Sequence, residues 1–189
     1  MANEDSGGGT EPVLRVATPD DEAAVERLMK ESAAILFPRF YDEPEAASAV
    51  RYVAQADPLL LRDGTYFVLE HGNEMVACGG WSRRDRMYTG SGDGADDARA
   101  LDPATEAARV RAMFVRADWT RRGLGRRILE ACEAAARAEG FRELTLVATL
   151  PGVPLYLAFG FQPVSELEVE MPDGVSIACV SMTRTIAAL

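Results

Sequence analysis

The chain has 189 residues, 48% of them hydrophobic, enough for one domain with a packed core. Its net charge is −10, so it lacks the basic footprint that grips a nucleic-acid backbone or an anionic lipid surface. One histidine and three scattered cysteines, Cys78, Cys132 and Cys179, give neither a zinc-ligand spacing nor a disulfide framework; no metal and a reducing, cytoplasmic setting are expected.

Residues 1–12 are mostly Gly, Ser and acid with little to bury, and a disordered tail is expected there, followed by a single domain over 13–189. The tail has neither the basic start nor the apolar run of a signal peptide, and no apolar stretch approaches the roughly 18 residues of a membrane helix. Residues 14–18 alternate as a short strand. Thr18, Pro19, Asp20, Asp21 and Glu22 make a helix start, with Ala24, Val25, Leu28 and Met29 following at helical spacing. A second helix is expected over about 44–56, ending before Pro58. Residues 65–70 and 75–81 flank His71-Gly72-Asn73 and read as a β-hairpin. The Gly-, Asp- and Arg-rich stretch 84–105 has no periodicity and reads as a long surface loop.

Residues 108–115 read as a strand, with Val110, Ala112 and Phe114 alternating against Arg109, Arg111 and Met113. A turn at 116–120 leads to a helix over 123–139, with Leu124, Ile128, Ala131, Cys132 and Ala135 on one face and Gly140 at its end. Residues 143–148 read as an apolar, buried central strand, and a short helix follows at 153–159. Strands at 164–170 and 175–184 are joined by the turn Pro172-Asp173-Gly174. This alternation is too irregular for a doubly wound sheet; an α+β fold on a mixed, mostly antiparallel sheet is expected.

The chemistry concentrates between Met113 and Arg127, where a strand runs through a turn into a helix with Gly123 and Gly125 at its start. Glycines let backbone approach a ligand, and the first amides of a helix are unpaired donors at the positive end of its dipole, which together suit a pyrophosphate. Arg121, Arg122, Arg126 and Arg127 add positive charge in an acidic protein. The spacing GxxxxGK[ST] and the third glycine of GxGxxG are both absent. From this fragment alone, a tight strand-to-helix turn with solvated arginines remains the alternative.

The run from Val110 to Arg127 resembles the acyl-CoA-binding motif of the GNAT superfamily of N-acyltransferases, Gln/Arg-x-x-Gly-x-Gly/Ala after a strand. Gly123 and Gly125 match the two small positions, while Thr120 replaces the usual Gln or Arg. Downstream, Pro154 to Phe161 resembles the family's Phe-Tyr-x-x-x-Gly-Phe element, with Tyr156, Gly160 and Phe161 at the matching spacing. Thr149 stands near the place of an asparagine that often precedes that element.

The resemblance implies a sheet with helices on both faces whose strands splay at an acyl-CoA site. It implies acetyl-CoA as co-substrate, held by the backbone of Met113 and Val115 and by amides from Arg121 through Arg122, Gly123, Leu124 and Gly125 to Arg126. An acetyl group would pass by direct attack to an amine of a small molecule or a protein, with Tyr156 protonating the departing thiolate; Tyr156 could equally be a core aromatic. The resemblance also allows a homodimer, which no sequence feature establishes. Glu106, near the start of the cofactor strand, is a candidate base as well as an ordinary loop acid; Glu70 and His71 are weaker candidates, and Asp118 reads as a turn former. Phe40, Tyr41, Trp81 and Tyr88 could line an acceptor pocket or belong to the core, and Asp93, Asp96, Asp97 and Asp102 could attract a cationic acceptor or simply be solvated. A non-catalytic acyl-CoA sensor and a module binding another nucleotide remain the alternatives.

Overall fold

The structure, a computed structural model, describes residues 11–86 and 99–187. Most of the expected tail and of the expected 84–105 loop, with Tyr88, Asp93, Asp96 and Asp97, lies outside the described residues. Seven strands, β1 (Val13–Val16), β2 (Tyr66–His71), β3 (Glu74–Ser82), β4 (Ala108–Val115), β5 (Glu143–Thr149), β6 (Gln162–Glu170) and β7 (Ser176–Thr185), form one sheet in the order β1-β2-β3-β4-β5-β7-β6. Every neighbouring pair is antiparallel except β4 with β5. The helices are α1 (Glu22–Leu36), α2 (Glu43–Tyr52), α3 (Pro58–Arg62), α4 (Leu124–Ala138) and α5 (Val153–Phe159). The expected α+β architecture is present, with the sheet sandwiched between helices.

Each face of the sheet owns a separate core. On one, Val25, Leu28, Met29 and Ala33 of α1 and Ala46 and Ala49 of α2 pack with Val68, Cys78, Phe114 and Ile177. On the other, Ile128, Leu129 and Cys132 of α4 and Tyr156 and Phe159 of α5 pack with Trp81, Val110, Leu144, Leu146 and Met182. The apolar stripe of α4 recurs at helical spacing, which is why its pattern was legible.

Three expectations need correction. The expected second helix stops at Tyr52, and a separate short helix, α3, begins at Pro58 with Asp57 capping the Leu59 amide at 3.0 Å. Its Leu59, Leu60 and Leu61 are all buried, so it shows no amphipathic period, and proline at the first helical position starts it. Next, β5 is buried on one face only: Leu144, Leu146 and Ala148 are covered, whereas Thr145, Val147 and Thr149 are half-buried. Finally, Val110, Ala112 and Phe114 do not share a face.

That last difference comes from a β-bulge. Cys78 pairs with Phe114 but Gly80 pairs with Arg111, so Ala112 and Met113 together oppose Gly79. Ala112 takes φ 52°, in the left-handed region that costs a non-glycine residue energy unless its surroundings impose it. They do. The buried Tyr66 hydroxyl donates to the Ala112 carbonyl at 2.6 Å. A Cβ on Gly79 would strike Met113 Sδ, and one on Gly80 would lie 2.5 Å from the Thr65 carbonyl oxygen. The extra residue puts Val110 in the α4 core and Phe114 in the α1 core, and it turns Arg111 inward to only 4% exposure.

Tyr66→Phe leaves the Ala112 carbonyl without its partner, which should cost about 1–3 kcal/mol. For a domain of this size that lowers Tm by roughly 2–12 °C, measured by thermal unfolding. An unchanged Tm would mean that the hydroxyl does not hold the bulge.

Candidate active site

Parallel pairing of β4 with β5 is confined to Ala108–Leu144 and Arg109–Thr145. Beyond those rungs β4 stays with β3, and β5 stays with β7 as far as Thr149–Cys179. The Arg116 amide donates to the Val76 carbonyl at 3.0 Å, which makes Ala77–Val115 a non-hydrogen-bonded pair. The backbone groups of Val115 therefore face away from β3 towards the β5 side. Ser32 Oγ of α1 donates to the Val115 carbonyl at 2.7 Å; the Val115 amide has no strand beside it.

The gap holds a cavity of about 90 Å³. Val110, Arg111, Ala112 and Phe114 form its β4 wall, Val147 and Thr149 its β5 wall, and Tyr156 projects into it from α5. Val53, Val169, Met171 and Cys179 close the other side. Val110 and Tyr156 belong to the α4–α5 core, whereas Phe114, Val169, Met171 and Cys179 belong to the α1–α2 core, so the cavity passes through the sheet.

Tyr156 is fixed by the chain around it. Gly160, at φ 101°, ends α5, and the Phe161 amide returns to the Tyr156 carbonyl at 2.9 Å. That reversal buries the Phe161 ring edge-on to Tyr156, with centroids 5.7 Å apart. Gly152 admits the ring from the other side, since a Cβ there would lie 2.8 Å from Tyr156 Cε2. Among the described residues none hydrogen-bonds the Tyr156 hydroxyl, and burial pushes its phenol well above the usual tyrosine range. The group is a proton donor at neutral pH.

The first turn of α4 lies just beyond β4. Gly123 precedes it at φ 79°, and Arg121 is also left-handed at φ 65°. No side chain caps α4 and no acid stands in its first turn, unlike α2, which Asp42 caps. Arg126 and Arg127 occupy positions where the dipole disfavours cations, an arrangement that an anion would offset. Arg122 lies over the Trp119 ring, 4.6 Å from its centroid, and Arg126 donates to the Ala158 carbonyl at 2.9 Å. Arg121 is exposed. Gly123 has open space around a Cβ, so its positive φ is what requires glycine there. Gly125 serves packing: a Cβ would lie 2.7 Å from Leu155 Cδ2, so its bareness lets α5 close on α4 beside Tyr156.

A family model described as an acetyltransferase (GNAT) domain matches residues 62–163, just over half the chain. The chain belongs to the GNAT acetyltransferase family. The match takes in β2 to β5, the α4 turn and the Tyr156 helix. In fold the chain is similar to a GCN5-related N-acetyltransferase from Rhodopseudomonas palustris, with TM-score 0.69 and 19% identity over 93% of this chain and 96% of that one. It is similar to the paia N-acetyltransferase of Thermoplasma acidophilum in complex with coenzyme A, with TM-score 0.64 and 11% identity over 93% and 99%. It is also similar to yncA of Salmonella typhimurium with its cofactor acetyl-CoA, with TM-score 0.61 and 16% identity over 95% and 96%. No curated protein matches the chain in sequence. No helix among the described residues is long and apolar enough to cross a membrane.

Not all the residues read from the sequence meet at this GNAT cavity. Tyr156 lines the cavity, whereas Met113 and Val115 lie on β4 and the Arg121–Arg126 segment follows it in the chain, outside the cavity lining. Glu106 does not line the cavity. Its carboxylate is gripped by Arg99 at 2.6 and 2.8 Å and accepts from the Asp102 amide at 2.8 Å, which lowers its pKa to about 2. It pins the stem of the 99–106 turn and is a poor proton acceptor. Glu70 is taken up by Arg15, and Asp118 by Arg116. His71 stacks on Trp119 at 4.8 Å. Tyr41 and Trp81 are core, the Tyr41 hydroxyl donating to the Ala178 carbonyl at 2.8 Å, and Phe40 is exposed. Arg111 and Cys179 line the cavity without having been singled out, because strict alternation turns Arg111 outward and a lone cysteine gives no signal.

Glu106→Gln should retain the rate of acetyl transfer within about twofold, where loss of a general base costs roughly 10²–10⁴-fold. Steady-state kinetics with acetyl-CoA and a good acceptor decide between the two.

Proposed function

We propose that the protein is a cytoplasmic acyl-CoA-dependent N-acetyltransferase that moves an acetyl group from acetyl-CoA to an amine of a small molecule or a protein. The observation that supports this reading best is the gap between β4 and β5, which Tyr156 lines and whose β4 wall leads in the chain to the uncapped start of α4. The amides from Arg121 to Arg126 would take the pyrophosphate, with Arg121 at the exposed mouth. The pantetheine arm, which carries amide groups, would pair with Met113 and Val115 as a substitute strand. The thioester would then reach the cavity beside Tyr156.

A neutral amine attacks the thioester carbonyl carbon, the carbonyl electrons move to oxygen, and their return expels the thiolate. The Tyr156 hydroxyl gives its proton to the departing sulfur, and the nitrogen loses its extra proton to water. Burial suits the phenol to this task, because its proton stays in place until charge develops on the sulfur. No carboxylate lines the cavity among the described residues, which supports a deprotonation routed through solvent.

Thermal unfolding with saturating acetyl-CoA, ATP and NAD tests the ligand. A ligand at a hundred times its Kd stabilises by about 2.7 kcal/mol, a rise in Tm of roughly 5–10 °C here. The rise is expected with acetyl-CoA alone; a larger one with ATP or NAD would sink the reading. Tyr156→Phe should lower kcat by about 10²–10⁴-fold with acetyl-CoA binding retained, and full activity would remove Tyr156 as the acid. Because the Tyr156 pKa is raised, kcat/KM should rise as the acceptor ammonium loses its proton and should not fall near pH ~10, where an ordinary tyrosine ionises.

A further inference from the structure

We propose that Tyr41 is a positioning residue for acetyl transfer, its hydroxyl fixing the turn that starts α5 and so the place of Tyr156 against the β4 wall; this rests on the acyl-transfer reading above. The register of β5 with β7 runs as far as Thr149–Cys179, and its next step sets Leu150 opposite Ala178. At that step the Tyr41 hydroxyl stands between the two chains. It accepts from the Leu150 amide at 2.8 Å and donates to the Ala178 carbonyl at 2.8 Å. The ladder thus ends on a side chain from the segment between α1 and α2, wider by an oxygen than a direct bond. Thr149 and Cys179, next in the chain to the residues so held, both line the cavity. A buried phenol is satisfied by either bond alone; the pair fixes the end of β5 to β7.

The contact reaches Tyr156 through a short run of chain. The Leu150 carbonyl accepts from the amide of Val153, the first residue of α5, and between them Gly152 packs on the Tyr156 ring. Among the described residues none bonds the Tyr156 hydroxyl, so its aim depends on where α5 begins. In the other direction Tyr41 refers this turn to β4. Its buried ring stands edge-on to Phe37 at 5.8 Å, and Phe37 lies 6.4 Å from the Phe114 ring, which lines the β4 wall. Helix α1, which ends just before Phe37, is bonded to the end of β4 through Ser32. One stretch of chain therefore holds both walls of the gap. Burial pushes the Tyr41 phenol well above the usual tyrosine range, so the proton it gives to the Ala178 carbonyl stays on its oxygen at neutral pH.

Tyr41→Phe in the full chain removes the hydroxyl and keeps the ring beside Phe37. Misplacing a reacting group by about 1 Å can cost about 10²-fold. The variant's kcat should therefore fall by about 10–10²-fold, with the Kd for acetyl-CoA kept within about twofold. In a Tyr156→Phe background the same change should cost less than about twofold, because no phenol proton is left to aim. A hydroxyl that serves folding alone would lower Tm and leave kcat unchanged at temperatures well below it. That result overturns the inference, as does an equal loss of kcat in both backgrounds. If Tyr41→Phe fails to fold, Leu150→Pro removes the partner amide at the first position of its turn, where proline is tolerated. It should show the same pattern, and an unchanged kcat overturns the inference. Failure to bind acetyl-CoA, or full activity of Tyr156→Phe alone, would instead overturn the reading on which this rests.

Discussion

Everything else in this protein depends on β4 holding to β3 while letting go of β5. Backbone amides and carbonyls must be paired wherever water is scarce, so a strand that abandons a neighbour inside a sheet is costly unless something takes that neighbour's place. Here the departure is built in from one side. Gly79 and Gly80 leave room for the bulge, and Tyr66 takes up its carbonyl. Helix α1 contributes Ser32, which bonds the last carbonyl of β4. With those contacts in place, β4 beyond Arg109 has no paired strand on its β5 side.

The charges follow the same logic on a larger scale. A chain with net charge −10 repels an anionic ligand at long range, and solvent ions screen that repulsion beyond about 10 Å. At short range the balance reverses around the start of α4. The helix dipole, the two left-handed residues before it and the surrounding arginines concentrate positive potential there. Trp119 organises part of it, with Arg116 and Arg122 lying over its ring at 5.8 and 4.6 Å. A rigid aromatic platform limits the entropy those long side chains lose when they meet a ligand.

What the sequence revealed, and what it hid, divides along the range of the interactions involved. The hairpin, β4, α4 and α5 were legible because turns, caps and apolar spacing are local, and the limits of β4 and α5 coincide with the expected ones. The face of each β4 residue was not, because a bulge is decided across the sheet by Gly79, Gly80 and Tyr66, some thirty to forty-five positions away. Helix α3 was hidden by its own burial. The two glycines looked equivalent in sequence, yet Gly123 answers to a dihedral angle and Gly125 to the side chain of Leu155. Glu106 was visible as an acid beside the right strand; that Arg99 occupies it is a fact of folded geometry.

The sparse seam between β4 and β5 has a mechanical meaning. Two rungs of pairing join a four-stranded leaf, β1 to β4, to a three-stranded leaf, β5, β7 and β6, and within each leaf the strands pair along their length apart from local bulges. The molecule is thus a book with a short spine. Opening about that spine breaks few hydrogen bonds, and it is the two apolar cores, each shared by both leaves, that hold the leaves together. A pantetheine laid along the gutter would stitch the pages together, coupling occupancy of the site to the stiffness of the whole sheet.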